Sequence, residues 1–158
     1  MKKTLLSLIT AVALTSSLYA YDAAKAAQFD TFYSHLTQKA CANSKLFISA
    51  EETMKMVREG KPVTLLDVRT DGEASVLGLN GSNALHIPLE HLFEKASLEK
   101  LPGDRPVLIL CHSGTRATMA AVSLKMAGIK NVQVVKGGMV ALATADNPKN
   151  APIIKEKK

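Results

Sequence analysis

The stretch Val107-Leu108-Ile109-Leu110-Cys111-His112-Ser113-Gly114-Thr115-Arg116-Ala117 decides the fold. Four aliphatic residues run directly into a cysteine, and a short polar loop with one glycine follows. Beyond Arg116, the residues Ala117, Ala120, Ala121, Leu124 and Met126 sit among good helix formers. A strand buried on both faces reads as a continuous apolar run. Cys111 therefore stands at the carboxyl end of a strand, facing the amino end of a helix. In open α/β sheets ligands bind at that edge, and a helix amino end offers unpaired N–H groups and a partial positive charge. A thiol there is poised to ionise. The placement is compatible with several cysteine chemistries.

Working outward, the same pattern repeats. Upstream, Val63-Thr64-Leu65-Leu66 is a buried-type strand ending in Asp67-Val68-Arg69, and Leu46-Phe47-Ile48 is a shorter one. Ser49 and Glu52 form a capping-box pattern opening a helix that Gly60 ends. The segment 71–83, rich in glycine, asparagine and serine, reads as loop. Ala84 to Pro88 is a third short strand, and Leu89, Leu92, Phe93 and Ala96 suggest one helix over 89–101. Downstream, Val132-Gln133-Val134-Val135 is the fifth strand, and Gly137-Gly138 turns into a last helix over 139–145. Strands alternating with helical segments predict parallel βαβ units in one α/β domain over 45–145.

The flanks differ. Met1-Lys2-Lys3 followed by a mainly apolar run from Leu5 to Leu18 predicts a signal peptide over 1–20 and export to the periplasm, because spanning a bilayer takes about 20 apolar residues. Phe29, Phe32, Tyr33, Leu36 and Ala40 recur at helical spacing, which predicts one amphipathic helix within an extension over 21–44. Residues 146–158 read as a basic, solvated tail. The formal net charge of +6 falls to +4 once Lys2 and Lys3 are removed, and basic residues are otherwise scattered. With no tryptophan and 4% aromatic residues, nucleic acid is not an expected partner, and after signal cleavage neither is a membrane. Cys41 has no His/Cys cluster at zinc spacing around it, so no metal site is expected. Whether Cys41 pairs with Cys111 stays open, since geometry decides that.

From about Phe47 to Leu142 the chain resembles the rhodanese-like domains. The matching features are Leu65-Leu66-Asp67-Val68-Arg69, His86-Ile87-Pro88, the run from Cys111 to Ala117, and Val135-Lys136-Gly137-Gly138. The cysteine loop is the specific part, and the order of all four strengthens it. Leu85 and Leu89 stand where the family usually has glycine, and His112 stands where many thiosulfate-using members carry arginine or lysine. The resemblance implies a five-stranded parallel sheet flanked by helices, in the order 1-5-4-2-3. It also implies a sulfurtransferase in which Cys111 carries sulfur as a persulfide, with no cofactor. His112, Ser113, Gly114, Thr115 and Arg116 would form the loop around the sulfur, supported by Asp67 and Arg69. The partners would be a small sulfur donor such as thiosulfate and a cyanide, thiol or protein acceptor. A non-enzymatic persulfide carrier or redox-responsive module on the same loop is the alternative.

Such chemistry needs a thiolate, whereas an ordinary thiol with a pKa near 8.5 is only about 10% ionised near pH 7.5. Lowering that pKa by roughly two is worth about 2.7 kcal/mol, which loop N–H groups and a helix amino end can supply. Gly114 lets the backbone curl inward, and Ser113 and Thr115 add hydroxyl donors or cap the helix. Arg116 either supports the loop and a donor anion or forms an ordinary ion pair. Asp67 reads as a structural brace at a strand end, and Arg69 as its partner or as part of the entrance. Phosphatases with a related loop place five residues between cysteine and arginine; here there are four, so the resemblance implies a cradle suited to a single sulfur atom.

Overall fold

In a computed structural model of the chain, residues 20–147 and 149 are described. Apart from Ala20, the signal-like segment lies outside them, and so does most of the basic tail. The chain divides into two compact units, Met1–Gln38 and Lys39–Lys158.

In the first unit, α1 (Ala23–Tyr33) is capped by Asp22, whose side chain accepts the Lys25 N–H, and none of its residues is buried. Its aromatic rings meet one another: Phe32 and Tyr33 pack edge to face at 5.1 Å. The single helix expected within 21–44 is two, because α2 (Gln38–Ala42) is separate. The break falls at Ser34, whose hydroxyl bonds the Thr31 carbonyl, a local alternative to continued helix.

The second unit is built on five parallel strands, β1 (Phe47–Ile48), β2 (Thr64–Asp67), β3 (Ala84–His86), β4 (Val107–Leu110) and β5 (Val132–Val135). Their order is β1-β5-β4-β2-β3, as the resemblance implied. Four helices and short turns connect them: α3 (Ala50–Arg58), α4 (Asp71–Val76), α5 (Lys95–Leu98) and α6 (Thr115–Met126), with α7 (Gly138–Ala145) after β5.

The period-2 alternation of β4 sorts its side chains onto the two faces of the sheet. Val107, Ile109 and Cys111 share a core with Ala117, Ala120, Ala121 and Leu124 of α6. Leu108 and Leu110 share the other with Ile48, Leu65 and Met139. Alanines on the inner side of α6 let it lie close on the strand that carries the cysteine. All four β4 residues are fully buried, which is why the strand reads as an unbroken apolar run.

Two sequence expectations are corrected. The segment 71–83 is not all loop: Asp71–Val76 is helical, opened by a complete capping box in which Thr70 and Glu73 exchange bonds. Residues 89–101 do not form one helix. A 3-10 turn over Leu89–His91 and the short α5 replace it, with Glu94 extended between them. Leu89, Leu92, Leu98 and Leu101 all pack on the α6-side core. Their spacing in threes suits the three-residue period of 3-10 turns rather than 3.6. Among the described residues, no helix is long and apolar enough to cross a membrane.

Candidate active site

The carboxyl ends of β2 and β4 lie side by side, with Asp67 opposite Leu110 and the Val68 N–H bonded to the Leu110 carbonyl at 2.9 Å. Cys111 follows at once. It is 1% exposed, and its Sγ accepts the Gly114 N–H at 3.1 Å. Gly114 is the N-cap of α6 and adopts φ 115°, a conformation costly for any residue with a Cβ. The sulfur is thereby held at the amino end of a twelve-residue helix, where the first N–H groups have no intrahelical partners.

The loop is braced from behind by α7. Met139 N–H donates to the Cys111 carbonyl at 2.7 Å, and Val140 N–H to the His112 carbonyl at 3.3 Å. This approach is close enough that a Cβ on Gly138 would strike both of those carbonyl oxygens. The double glycine after β5 brings the amino end of α7 against the loop's carbonyls, while the Gly114 N–H at the N-cap of α6 meets its sulfur.

Asp67 and Arg69 form a buried, two-armed ion pair, with Nε at 2.9 Å and Nη2 at 2.6 Å from the carboxylate oxygens. Arg69 also donates to the carbonyls of Glu73 and Leu77, tying β2 to α4. Its guanidinium pKa is raised, chiefly by its bonds to Asp67. Arg69 therefore braces the strand end and also borders the cleft beside the loop.

Sequence reasoning missed Glu73. Both of its oxygens accept from the Arg116 guanidinium, at 2.7 and 2.6 Å, and one also accepts from Thr70. Arg116, followed by the Thr70 backbone, lowers the Glu73 carboxyl to about 2. The Arg116 pKa is raised, first by Glu73, with Cys111 contributing a smaller share. Arg116 is thus a loop-side cation with a dedicated partner. The signal for Glu73 was present in the sequence, because Thr70 and Glu73 stand at capping-box spacing.

The remaining loop residues divide. His112, Ser113 and Thr115 are exposed. Neither Ser113 nor Thr115 caps α6, which has no side-chain cap, so of the two roles expected for them the capping one is not met. His86 bonds Asp71 at 3.0 Å. Cys41 is exposed, Cys111 is buried, and both are thiols. Among the described residues, no cluster of three His, Cys, Asp or Glu is placed to hold a metal.

Beside the loop lies a cleft of about 370 Å³. Arg69, Glu73 and His112 border it, and Val76, Leu77, Met139, Val140 and Ala143 form the rest of its wall.

The family model for the rhodanese-like domain matches residues 49–145. The chain is 30% identical over 101 residues to the probable adenylyltransferase/sulfurtransferase MoeZ of Mycobacterium tuberculosis, a match over 64% of this chain and 25% of MoeZ. The chain thus spans about a quarter of that relative's length. It is 31% identical over 105 residues to a sulfurtransferase of Allochromatium vinosum, a match over 66% of this chain and 94% of that protein. Among solved structures, a rhodanese-like domain protein from Staphylococcus aureus superposes with a TM-score of 0.52 at 29% identity. That alignment covers 60% of this chain and 88% of the other.

Proposed function

Since the chain belongs to the rhodanese-like domain family, we propose that it is a sulfurtransferase working through a persulfide on Cys111. One observation supports this above the others: the Cys111 sulfur lies at the amino end of α6 and accepts the Gly114 N–H at 3.1 Å. In the first half-reaction the Cys111 thiolate attacks the outer sulfur of thiosulfate. An S–S bond forms on Cys111, the S–S bond of thiosulfate breaks, and sulfite leaves with the electron pair. In the second, cyanide or an acceptor thiolate takes the outer sulfur and the Cys111 thiolate returns as leaving group. Charge and atoms balance in both steps, and no external oxidant is needed.

The roles divide accordingly. Cys111 is the nucleophile and sulfur carrier, and the Gly114 N–H stabilises charge on its sulfur. Arg116, oriented by Glu73, supports negative charge at the loop. Asp67 and Arg69 hold the β2 end against it. His112, Ser113 and Thr115 form the exposed rim that meets donor and acceptor. Because Cys111 is 1% exposed, both reagents must present a slim, terminal sulfur or carbon atom. We place the activity in the periplasm on the strength of the signal-like residues 1–20.

Intact-mass measurement tests the mechanism. Thiosulfate should add about 32 Da, one sulfur atom, and cyanide should remove it as thiocyanate. Cys111→Ser should give no adduct; an adduct surviving in that variant would place the chemistry elsewhere.

A further inference from the structure

We propose that Asn80 is a self-modifying site: through a cyclic imide with Gly81, the chain converts it to a mixture of aspartate and isoaspartate. The proposal is independent of the persulfide reading of Cys111.

Three observations carry it. The first is the dipeptide itself, since Asn80-Gly81 is the single Asn-Gly pair in the sequence. Ring closure needs the main-chain nitrogen of the following residue to reach the side-chain amide carbon. Glycine leaves that approach unhindered and turns freely about its own bonds. Asparagine is among the thermally labile residues, and this neighbour makes it more so.

The second is the state of the reacting groups. Asn80 and Gly81 are exposed and lie between α4 and β3, outside any helix or strand. Among the described residues the Asn80 amide makes no hydrogen bond, and neither does the Gly81 N–H. Nucleophile and electrophile are both uncommitted.

The third is contrast with the other described asparagines. The Ser44 N–H after Asn43 bonds the Cys41 carbonyl at 3.1 Å, and the Ala84 N–H after Asn83 bonds the Gly81 carbonyl at 3.1 Å. Val132, which follows Asn131, is β-branched and opens β5. Asn147 is followed by proline, which has no N–H, and its own amide donates to the Thr144 carbonyl. Asp71-Gly72 could close the same ring, but it is held in the first turn of α4 and its carboxylate is bonded to His86.

The chemistry needs only water. Solvent hydroxide removes the Gly81 N–H proton, the nitrogen attacks the Asn80 Cγ, and ammonia leaves as the new C–N bond forms. Water then opens the imide. Opening at the side-chain carbonyl gives aspartate, and opening at the main-chain carbonyl gives isoaspartate, whose backbone runs through Cβ and Cγ. One water is consumed, one ammonia is released, and no electrons change hands.

The structure also assigns where the change is felt. Either product puts a carboxylate on the border of a hollow of about 290 Å³ that Asp146 already edges. Isoaspartate further lengthens the main chain between Leu79, which packs on the α3-side core, and Ala84, which pairs with Leu65 of β2. Toward α4 the disturbance stops at Arg69, which donates to the Leu77 and Glu73 carbonyls and clamps the chain there. The modification therefore loosens the β3 edge and leaves the cysteine loop intact.

Incubating the protein at mildly alkaline pH tests both parts. The tryptic peptide 70–95 is followed by mass spectrometry, with electron-transfer fragmentation to tell isoaspartate from aspartate. Acid should appear at Asn80 an order of magnitude or more faster than at Asn43, Asn83 or Asn131, and faster still as pH rises. Absence of acid at Asn80, or equal rates at the other asparagines, overturns the site. Asn80→Gln, at an exposed position where the fold is not at stake, should block it, because glutamine closes a larger ring. The urea midpoint should fall in aged wild type in proportion to its isoaspartate and hold in aged Asn80→Gln. The rate at which iodoacetamide alkylates Cys111, read on its own peptide, should be the same in fresh and aged protein. A midpoint that does not move, or an alkylation rate that tracks isoaspartate, overturns the assignment of the effect to the β3 edge. None of these measurements involves sulfur transfer, so this proposal and the persulfide reading fail separately.

Discussion

Arg116 and Glu73, 43 residues apart in the chain, meet in a two-armed ion pair of 2.7 and 2.6 Å that fastens α4 to the cysteine loop. The pair is about one-third exposed on each side, and Glu73 is also committed to Thr70. Its orientation is therefore fixed before any ligand arrives. Glu73→Gln should keep α4 but release Arg116. Persulfide loading with thiosulfate should fall several-fold, and restoring a carboxylate with Glu73→Asp should recover part of it. Stopped-flow loading rates read this directly, and a loading rate that Glu73→Gln leaves unchanged would remove Arg116 from the mechanism.

The same pair predicts a pH signature. The folded carboxyl sits at about 2, below its ordinary 4.5. A depressed carboxylate contributes stability that is complete above the ordinary value and is lost as pH falls toward the folded one. Urea midpoints should therefore fall more steeply for the wild type than for Glu73→Gln between about pH 4.5 and 2. The difference matters, because Asp22, Glu59 and Asp104 are also lowered and make the wild-type slope alone uninformative. Parallel curves for the two proteins would contradict the assignment.

Much of this unit was legible because its physics is local. The strands β2, β4 and β5 are buried on both faces or nearly so, and a sheet of that kind writes itself as apolar runs. Cys111, Gly114 and Gly138 stand out because each occupies a position only one residue type fills well. What stayed hidden was held by side-chain pairing or by weak periodicity. Helix α4 has no buried residue, so its only sequence trace was Thr70 and Glu73 at capping spacing, obscured by the glycines and asparagines that follow. The Arg116–Glu73 contact was unreadable because nothing in the local sequence brings positions 43 apart together. The cleft is made by side chains from α4 and α7 that meet only when the sheet is assembled.

Asp67 and Arg69 should behave as a buried unit. Their side chains are 2% and 4% exposed, and removing one leaves the other charge buried without its partner. Asp67→Ala should therefore destabilise the domain by about 3–5 kcal/mol. Asp67→Leu combined with Arg69→Met, which removes both charges, should cost less than the sum of the two single changes. Chemical denaturation of the four proteins measures the coupling. Strict additivity would mean that the pair contributes no more than two independent residues.

Gly138→Ala should damage the loop from behind. Its φ of 56° disfavours a side chain, at about 1–2 kcal/mol, and the new methyl would strike the Cys111 and His112 carbonyls. Because those carbonyls define the loop, loading should fall by an order of magnitude or more, beyond what the lost stability explains at a temperature where the variant stays folded. Gly103→Ala is the control: a Cβ there meets nothing within 4 Å, so both stability and loading should hold. Wild-type loading in a folded Gly138→Ala protein would show that the α7 brace is dispensable.

His112→Lys should shift the donor preference toward thiosulfate. His112 is exposed at the rim of the loop, next to the nucleophile, and the neighbouring cleft has its charges already matched. A fixed positive charge about 6 Å from a dianion is worth roughly 1.4 kcal/mol even at the dielectric of water, or about tenfold in binding. That gain should appear as a lower KM for thiosulfate with little change in kcat, because the attraction acts on the ground state and the transition state alike. It should also weaken as salt rises through the range where the screening length falls below the separation. A singly charged donor should gain less than thiosulfate under the same conditions. If thiosulfate KM is unmoved at low salt, position 112 does not face the donor, and the rim would have to be assigned to Ser113 and Thr115 instead.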